Sequence, residues 1–183
     1  DTIGALMPAI LGALLVFPVY FIGRELAGKS CGLISALIVA VLPGQLFNRT
    51  TLGFTDHHAA EILLSTMAMM FLLMALRSGR RMTFDTLRED WSKFKTPLVY
   101  SLLTGISLGL YIDAWSSGFL FVGVILFFVF WQSIFEHLKG RSVEYLSIIS
   151  AIAFVTAIIP LLPFIKPYYG FNHYYYSLFQ PTI

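Results

Sequence analysis

The sequence predicts an all-α membrane protein that crosses the bilayer several times, and two observations support this fold class. Hydrophobic residues make up 57% of the 183-residue chain and charged residues only 12%, against about 25% charged residues in an ordinary soluble domain. The apolar residues also form six long runs, each close to the roughly 17–25 residues that a helix needs to cross a bilayer. Continuous apolar runs predict helices, because membrane strands show alternating patterns instead.

The first three runs are separated by short charged segments. Residues 3–23 end directly before Arg24. Residues 31–47 begin shortly after Lys29, and residues 59–76 contain a single acid near their start. Because an isolated charge at the edge of a run is readily placed in the headgroup region, we predict a membrane-spanning helix over each of these ranges.

The last three runs are bounded in the same way. Residues 96–112 begin directly after Lys95, and residues 118–135 end directly before Glu136. Residues 145–165 contain no Lys, Arg, Asp or Glu. These ranges predict three further membrane-spanning helices and give six spans in total.

The basic residues predict the orientation of these spans, because short cytoplasmic loops carry the excess of Lys and Arg. Ten of the twelve bases fall in the connections on one side, whereas Arg49 and Lys166 fall on the other. We therefore predict a multi-pass protein of the cell membrane with the basic loops in the cytoplasm and residues 44–58 outside. The longest basic connection, residues 77–97, carries aromatic residues at helical spacings and predicts an amphipathic helix at the membrane interface.

The external loop 44–58 carries the densest group of ionisable residues on its side. Asp56 and His58 lie two residues apart where the third helix is expected to begin, so both side chains are able to converge on one ion. A carboxylate and an imidazole suit Mn²⁺, Mg²⁺ with waters, or Zn²⁺, provided that further ligands come from elsewhere. Glu61 lies on the same helical face as the histidines and is predicted to orient one of them.

A purely structural interpretation of this loop is also open. In it, Asp56 caps the helix, the histidines lie among lipid headgroups, and Glu61 pairs with Arg49. Arg49 is in either case a candidate partner for a carboxylate or a phosphate. Trp115, at the external end of the fourth span, is a candidate ligand-facing ring, whereas Asp113 is interpreted as a solvated end group.

Three stretches of the sequence resemble a known enzyme family. They are Arg-Thr-Thr-Leu-Gly-Phe-Thr-Asp-His-His at 49–58, Pro-Val-Tyr-Phe-Ile-Gly-Arg-Glu-Leu at 18–26 and Gly-Leu-Tyr-Ile-Asp-Ala-Trp at 109–115. Together they are similar to the catalytic subunit of oligosaccharyltransferase, in particular its archaeal single-subunit form. The resemblance implies a glycosyltransferase-C-like membrane domain. It also implies transfer of an oligosaccharide from a polyprenyl phosphate or diphosphate to Asn in Asn-x-Ser/Thr, on the extracytoplasmic face.

The resemblance implies roles for particular residues as well. Asp56 and His58 are expected to bind Mn²⁺ or Mg²⁺, which makes Asp56 a catalytic residue. His57 is expected to face the lipid phosphate, with Arg49 as a second candidate for that contact, and Trp115 is expected to lie near the donor. The expected partners are the lipid-linked donor, an acceptor peptide and the membrane, and no nucleic acid.

The resemblance finally implies that residues 1–183 are part of one transmembrane domain and are inactive alone. The sequence lacks the family's other catalytic acids and its sequon-recognising soluble domain. Two alternative functions remain open at this stage: another glycosyltransferase that uses polyprenyl-phosphate sugars, and an ion or proton transporter subunit. A transporter relay needs ionisable groups through the depth of the bilayer, and the centres of four predicted spans contain none.

Overall fold

The structure is a computed structural model that describes residues 2–53, 56–80, 82–84, 91–115 and 118–163. Within these ranges every regular element is a helix, so the predicted fold class is confirmed. The chain forms two compact units, residues 1–70 and residues 71–183, and the division falls inside one long helix. The helices are α1 (Thr2–Leu14), α2 (Val16–Ala27), α3 (Lys29–Val41), α4 (Gln45–Arg49), α5 (His58–Gly79), α6 (Trp91–Ala114), α7 (Phe119–Leu138) and α8 (Glu144–Leu161).

Five helical segments in the described part of the chain are long and apolar enough to cross a membrane. They correspond to the first, third, fourth, fifth and sixth predicted spans, and α1 and α2 form the first of them together. The protein is therefore a multi-spanning membrane protein. The five segments are Gly4–Ala27, His58–Gly79, Trp91–Ala114, Phe119–Leu138 and Glu144–Leu161.

The predicted second span, residues 31–47, is wrong as a single membrane-crossing helix. In its place α3 has 13 residues, which at about 1.5 Å per residue gives a length of about 20 Å against a hydrocarbon core of about 30 Å. The helix ends because Pro43 disfavours the helical conformation at the residue before it. Leu42 accordingly has ψ 112°, and Gly44 follows with φ 130°, a conformation that favours glycine.

Close contacts in the first unit hold the loop after α4 against α1. The backbone N–H of Gly53 donates to the carbonyl of Ala5 over 2.8 Å. A Cβ atom placed on Gly12 would lie 2.6 Å from Cβ of Thr50, so only a glycine of α1 permits this approach. The chain directly after Arg49 is therefore anchored against α1 at Thr50 and Gly53.

Small residues define the packing of α6 against α8 in the second unit. A Cβ atom on Gly105 would clash with the carbonyl oxygen of Ala153, and one on Gly109 would clash with that of Ala157. The stretch Gly105-Ile-Ser-Leu-Gly109 is thus a small-xxx-small packing motif, in which glycines allow two helix backbones to approach closely.

The amphipathic helix predicted within residues 77–97 falls largely on residues 85–90, which lie outside the described part of the chain. Of the aromatic residues on which that prediction rests, Trp91 and Phe94 belong to the first turn of α6. Trp91 is exposed and Phe94 is buried. The interfacial helix therefore stays a prediction.

Candidate functional site

Asp56, His57 and His58 form a cluster at the start of α5. One ligand atom from each residue can be chosen so that all three lie within 4.8 Å of one another. Among the described residues this is the group of His, Cys, Asp and Glu side chains that is compact enough to hold a metal ion. Asp56 and His58, which the sequence predicts to converge on one ion, lie close together, with Oδ2 of Asp56 3.3 Å from Nε2 of His58.

The two oxygens of Asp56 face different histidines. Oδ1 lies 2.7 Å from Nδ1 of His57 and also accepts the backbone N–H of His57 over 2.7 Å. Oδ2 faces Nε2 of His58. The rings of His57 and His58 lie side by side with their centroids 4.2 Å apart. One carboxylate thus holds both rings at the helix start.

Glu61 contacts His58 from the other side of its ring. Oε2 of Glu61 lies 2.9 Å from Nδ1 of His58, because residues three apart in a helix lie on one face. An ionised carboxylate only accepts hydrogen bonds, so a neutral His58 in this contact would have its proton on Nδ1, with the opposite nitrogen, Nε2, directed at Asp56. The structure thus brings Glu61 to one of the two histidines, and its predicted role of orienting that ring stays a prediction.

This arrangement fits a divalent cation. With the proton on Nδ1, a neutral His58 would direct the lone pair of Nε2 at a carboxylate oxygen, and these two groups would repel each other. A second proton on the ring, or a cation between the two atoms, removes this repulsion. Two ligands bonded to one ion at about 2.1 Å and at about 90–109° lie about 3.0–3.4 Å apart. The observed 3.3 Å between Asp56 and His58 falls within that range.

Arg49 lies beside the same cluster, at the end of α4. Its Nη1 atom is 3.9 Å from Oδ2 of Asp56, and its Nε atom donates to Gln45 over 3.3 Å. The alternative in which Arg49 pairs with Glu61 is therefore not what the structure contains. The two carboxylates and one guanidinium leave a formal charge of about −1 when both histidines are neutral, which favours a cation.

Two residues that position Arg49 were missed by the sequence analysis. The hydroxyl of Thr50 donates to the carbonyl of Leu46 over 2.9 Å and caps the end of α4. Gly53, with φ 87°, donates its backbone N–H to the carbonyl of Ala5 over 2.8 Å. The signal for both was present in the sequence, since Thr and Gly commonly occupy helix ends and tight turns.

Trp115 belongs to the second unit, directly after α6. Its backbone N–H donates to the carbonyl of Tyr111 over 3.1 Å, and its own carbonyl accepts the N–H of Gly118 over 2.8 Å. The indole ring lies edge-on to Tyr111 with centroids 6.5 Å apart. Trp115 is thus held by its own helix end, half-buried, while the other five predicted site residues are gathered in the first unit.

Comparison with known proteins gives a consistent result. Residues 3–183 match the family model described as oligosaccharyl transferase STT3, N-terminal. The chain is 32% identical to dolichyl-phosphooligosaccharide-protein glycotransferase 3 of Archaeoglobus fulgidus over 96% of its length, and 32% identical to the dolichyl-monophosphooligosaccharide-protein glycotransferase AglB of Haloferax volcanii over 89%. It spans 20% and 16% of these two relatives.

Solved structures from Archaeoglobus fulgidus show the same fold. The oligosaccharyltransferase AglB in complex with an inhibitory peptide and a dolichol-phosphate matches 98% of the chain with a TM-score of 0.87 and 31% identity. A crystal structure of the Archaeoglobus oligosaccharyltransferase with zinc and sulfate matches with a TM-score of 0.82 and 32% identity. The chain covers 20% and 22% of these two structures, respectively.

Proposed function

Because the chain belongs to the STT3 family of oligosaccharyl transferases, we propose that it is part of an enzyme that glycosylates asparagine. The enzyme moves an oligosaccharide from a polyprenyl phosphate or diphosphate to Asn in Asn-x-Ser/Thr. The observation that carries this proposal is the family match over residues 3–183. A related structure with dolichol-phosphate and an inhibitory peptide supports a lipid-linked donor and a peptide acceptor. The same match favours this function over a transporter and over other glycosyltransferases.

We propose further that Asp56 and His58 hold a divalent cation, Mn²⁺ or Mg²⁺. The 3.3 Å between their facing atoms and the contact of His58 with Glu61 support this assignment. A relative with bound zinc and sulfate supports cation and anion binding in the family. When bound, the cation would supply positive charge that stabilises the phosphate leaving group.

His57, Arg49 and Trp115 are proposed to contact the donor. Among the described residues the His57 ring contacts Asp56 through Nδ1, so its Nε2 atom is available to a phosphate oxygen. Arg49 offers further N–H groups beyond those on Gln45 and Asp56. Both side chains would hold the phosphate, and the aromatic face of Trp115 would limit water near the donor.

The loop 44–58, which carries Asp56, His57 and His58 at its end, is proposed to face the extracytoplasmic side. Asp56 lies just before α5, which is long and apolar enough to cross a membrane, and Arg77 lies in the last turn of that helix. A basic residue at the far end of α5 supports a cytoplasmic position for that end and the opposite position for Asp56.

The proposal is tested by glycan transfer with the full-length protein, a polyprenyl-linked oligosaccharide and a fluorescent peptide that contains Asn-x-Thr. We expect transfer with Mn²⁺ or Mg²⁺ and its loss on chelation. Asp56→Ala and His58→Ala should each lower kcat/KM by at least about 100-fold, since each removes one proposed ligand. The measurement is the rate of peptide glycosylation at several metal concentrations.

His137→Ala is the matched control, because His137 is an exposed histidine in the last turn of α7. This variant should transfer glycan at the rate of the unchanged protein. Full activity of both Asp56→Ala and His58→Ala would refute the metal site. Absence of transfer by the unchanged protein under all metal conditions, with donor binding retained, would refute the enzymatic activity itself.

A further inference from the structure

A buried carboxylate in the second unit lies between two arginines that are distant in sequence. The side chain of Glu136, in the last turn of α7, is only 3% exposed. Oε1 of Glu136 lies 3.4 Å from Nη2 of Arg80, and Oε2 lies 3.5 Å from Nη1 of Arg141. Gln132 donates from Nε2 to Oε1 over 3.0 Å. One negative charge is therefore shared by two guanidinium groups.

The local backbone structure next to each arginine helps to position it. After α7, Gly140 has φ 66° and donates to the carbonyl of His137 over 2.9 Å, while Arg141 donates to that of Glu136 over 3.0 Å. This pair of bonds is a Schellman motif, which returns Arg141 to the helix turn that carries Glu136. Arg80 directly follows Gly79, where a Cβ atom would lie only 2.7 Å from Cδ1 of Ile149.

The two arginines keep unused hydrogen-bonding capacity. Their side chains are 59% and 54% exposed although Glu136 is buried. A guanidinium has five N–H donors, and the contacts with Glu136 use one nitrogen of each group. Arg80, Arg141 and Glu136 together carry a formal charge of +1. Glu144, another acid of this region, is not part of this cluster of ion pairs, and its carboxylate accepts the backbone N–H of Phe84 over 2.7 Å.

The position of the cluster at the ends of membrane-spanning helices indicates which kind of anion is available to it. The contacts of Glu136 join the end of α5 to the end of α7, and α8 begins three residues after Arg141. All three helices are long and apolar enough to cross a membrane, so their common end lies at a bilayer surface, where lipid phosphates are concentrated. Two guanidiniums that contact the same carboxylate offer several N–H donors of the kind that bind phosphate oxygens.

We propose that Arg80 and Arg141, held in place by Glu136, bind the phosphate of an anionic lipid headgroup. Arg80 and Arg141 contact the phosphate, and Glu136 acts as a positioning residue that keeps both guanidiniums oriented. Binding at this point also joins the ends of α5 and α7 through the lipid. The site is separate from the proposed metal site, and its test does not depend on glycan transfer.

The test reconstitutes the full chain in nanodiscs of phosphatidylcholine with or without phosphatidylglycerol. After detergent extraction, native mass spectrometry counts the retained lipids. The unchanged protein should retain phosphatidylglycerol in preference to phosphatidylcholine. Arg80→Gln and Arg141→Gln should each lower the apparent affinity for phosphatidylglycerol by about tenfold, the loss expected for one hydrogen-bonded charge pair.

Two further variants distinguish a specific lipid-binding site from nonspecific electrostatic attraction. Lys29→Gln/Lys95→Gln removes two exposed bases from outside the cluster and should change retention by less than about twofold. Glu136→Gln makes the protein more positive, yet it should weaken retention because the arginines lose their anchor. If Glu136→Gln does not fold, Arg80→Lys/Arg141→Lys keeps the charge and should still weaken retention, because ammonium groups lack the planar fork.

The outcomes that would overturn the proposal are specific. Equal losses of phosphatidylglycerol retention in the arginine variants and the lysine control would show that retention depends only on the net charge of the protein. Stronger retention of phosphatidylglycerol by the Glu136→Gln variant would lead to the same conclusion. Protein extracted from phosphatidylcholine nanodiscs in the presence of inorganic phosphate should not retain phosphate in the mass spectrum. If it does, and the arginine variants lose it, the cluster binds a free phosphate and not a lipid headgroup.

Discussion

Removal of the Glu61 carboxylate should weaken cation binding at Asp56 and His58 without unfolding α5. The His58–Glu61 contact of 2.9 Å joins side chains that are 29% and 21% exposed. A fully exposed helix pair is worth about 0.3 kcal/mol, and a hydrogen bond to a charged group about 1.5–3 kcal/mol. Partial burial places this contact near the lower end of the second range, at about 1.5 kcal/mol. Glu61→Ala should therefore weaken Mn²⁺ binding by about tenfold.

The assay for this prediction is Mn²⁺ titration of the full-length protein, followed by electron paramagnetic resonance of the free ion. Glu61→Gln should lose less affinity than Glu61→Ala, since a carboxamide oxygen still accepts the proton of Nδ1. Thr66→Ala is the matched control, five residues further along α5, where the hydroxyl donates to the carbonyl of Ile62 over 2.6 Å. Equal Mn²⁺ affinity for the unchanged protein and folded Glu61→Ala would refute the reasoning.

Two further predictions concern the stability of the second unit in detergent, measured by thermal unfolding. Gly105→Ala should cost about 1–3 kcal/mol, because its Cβ atom meets the backbone of Ala153. Gly123→Ala, with nothing within 4 Å, should be neutral or stabilise by up to about 1 kcal/mol, and equal destabilisation of both would contradict the packing argument. Ser150→Ala should raise the melting temperature, because its buried hydroxyl has no hydrogen-bond partner among the described residues and its removal relieves about 1 kcal/mol. A lower melting temperature would show that this hydroxyl is satisfied.

The span count illustrates where hydropathy alone was insufficient. Residues 31–47 contain no charged residue and so predict one long helix. Pro43 and Gly44 end α3 after Val41, because the first restricts the conformation of Leu42 and the second adopts φ 130°. The sequence contained both residues, and the prediction was wrong because apolar length was given more weight than backbone conformation.

The candidate site was predictable because its contacts are local. Asp56, His58 and Glu61 lie within six residues, and the start of α5 places their side chains on one face. Helical periodicity therefore predicted the histidine contact of Glu61. The pairing of Arg49 was not predictable in this way, because it depends on how α4 and the following loop pack against α1 through Thr50 and Gly53.

The sequence by itself determined the fold class, the family resemblance and the Asp-His-His motif, since apolar composition and short-range spacing act within single helices. Only the tertiary structure decided which distant groups meet. Arg80 and Glu136 are 56 residues apart, and no periodicity relates them. They meet because burial of the Glu136 carboxylate in an apolar protein is costly without a partner, and the packing of the helix ends brings the guanidiniums of Arg80 and Arg141 to it.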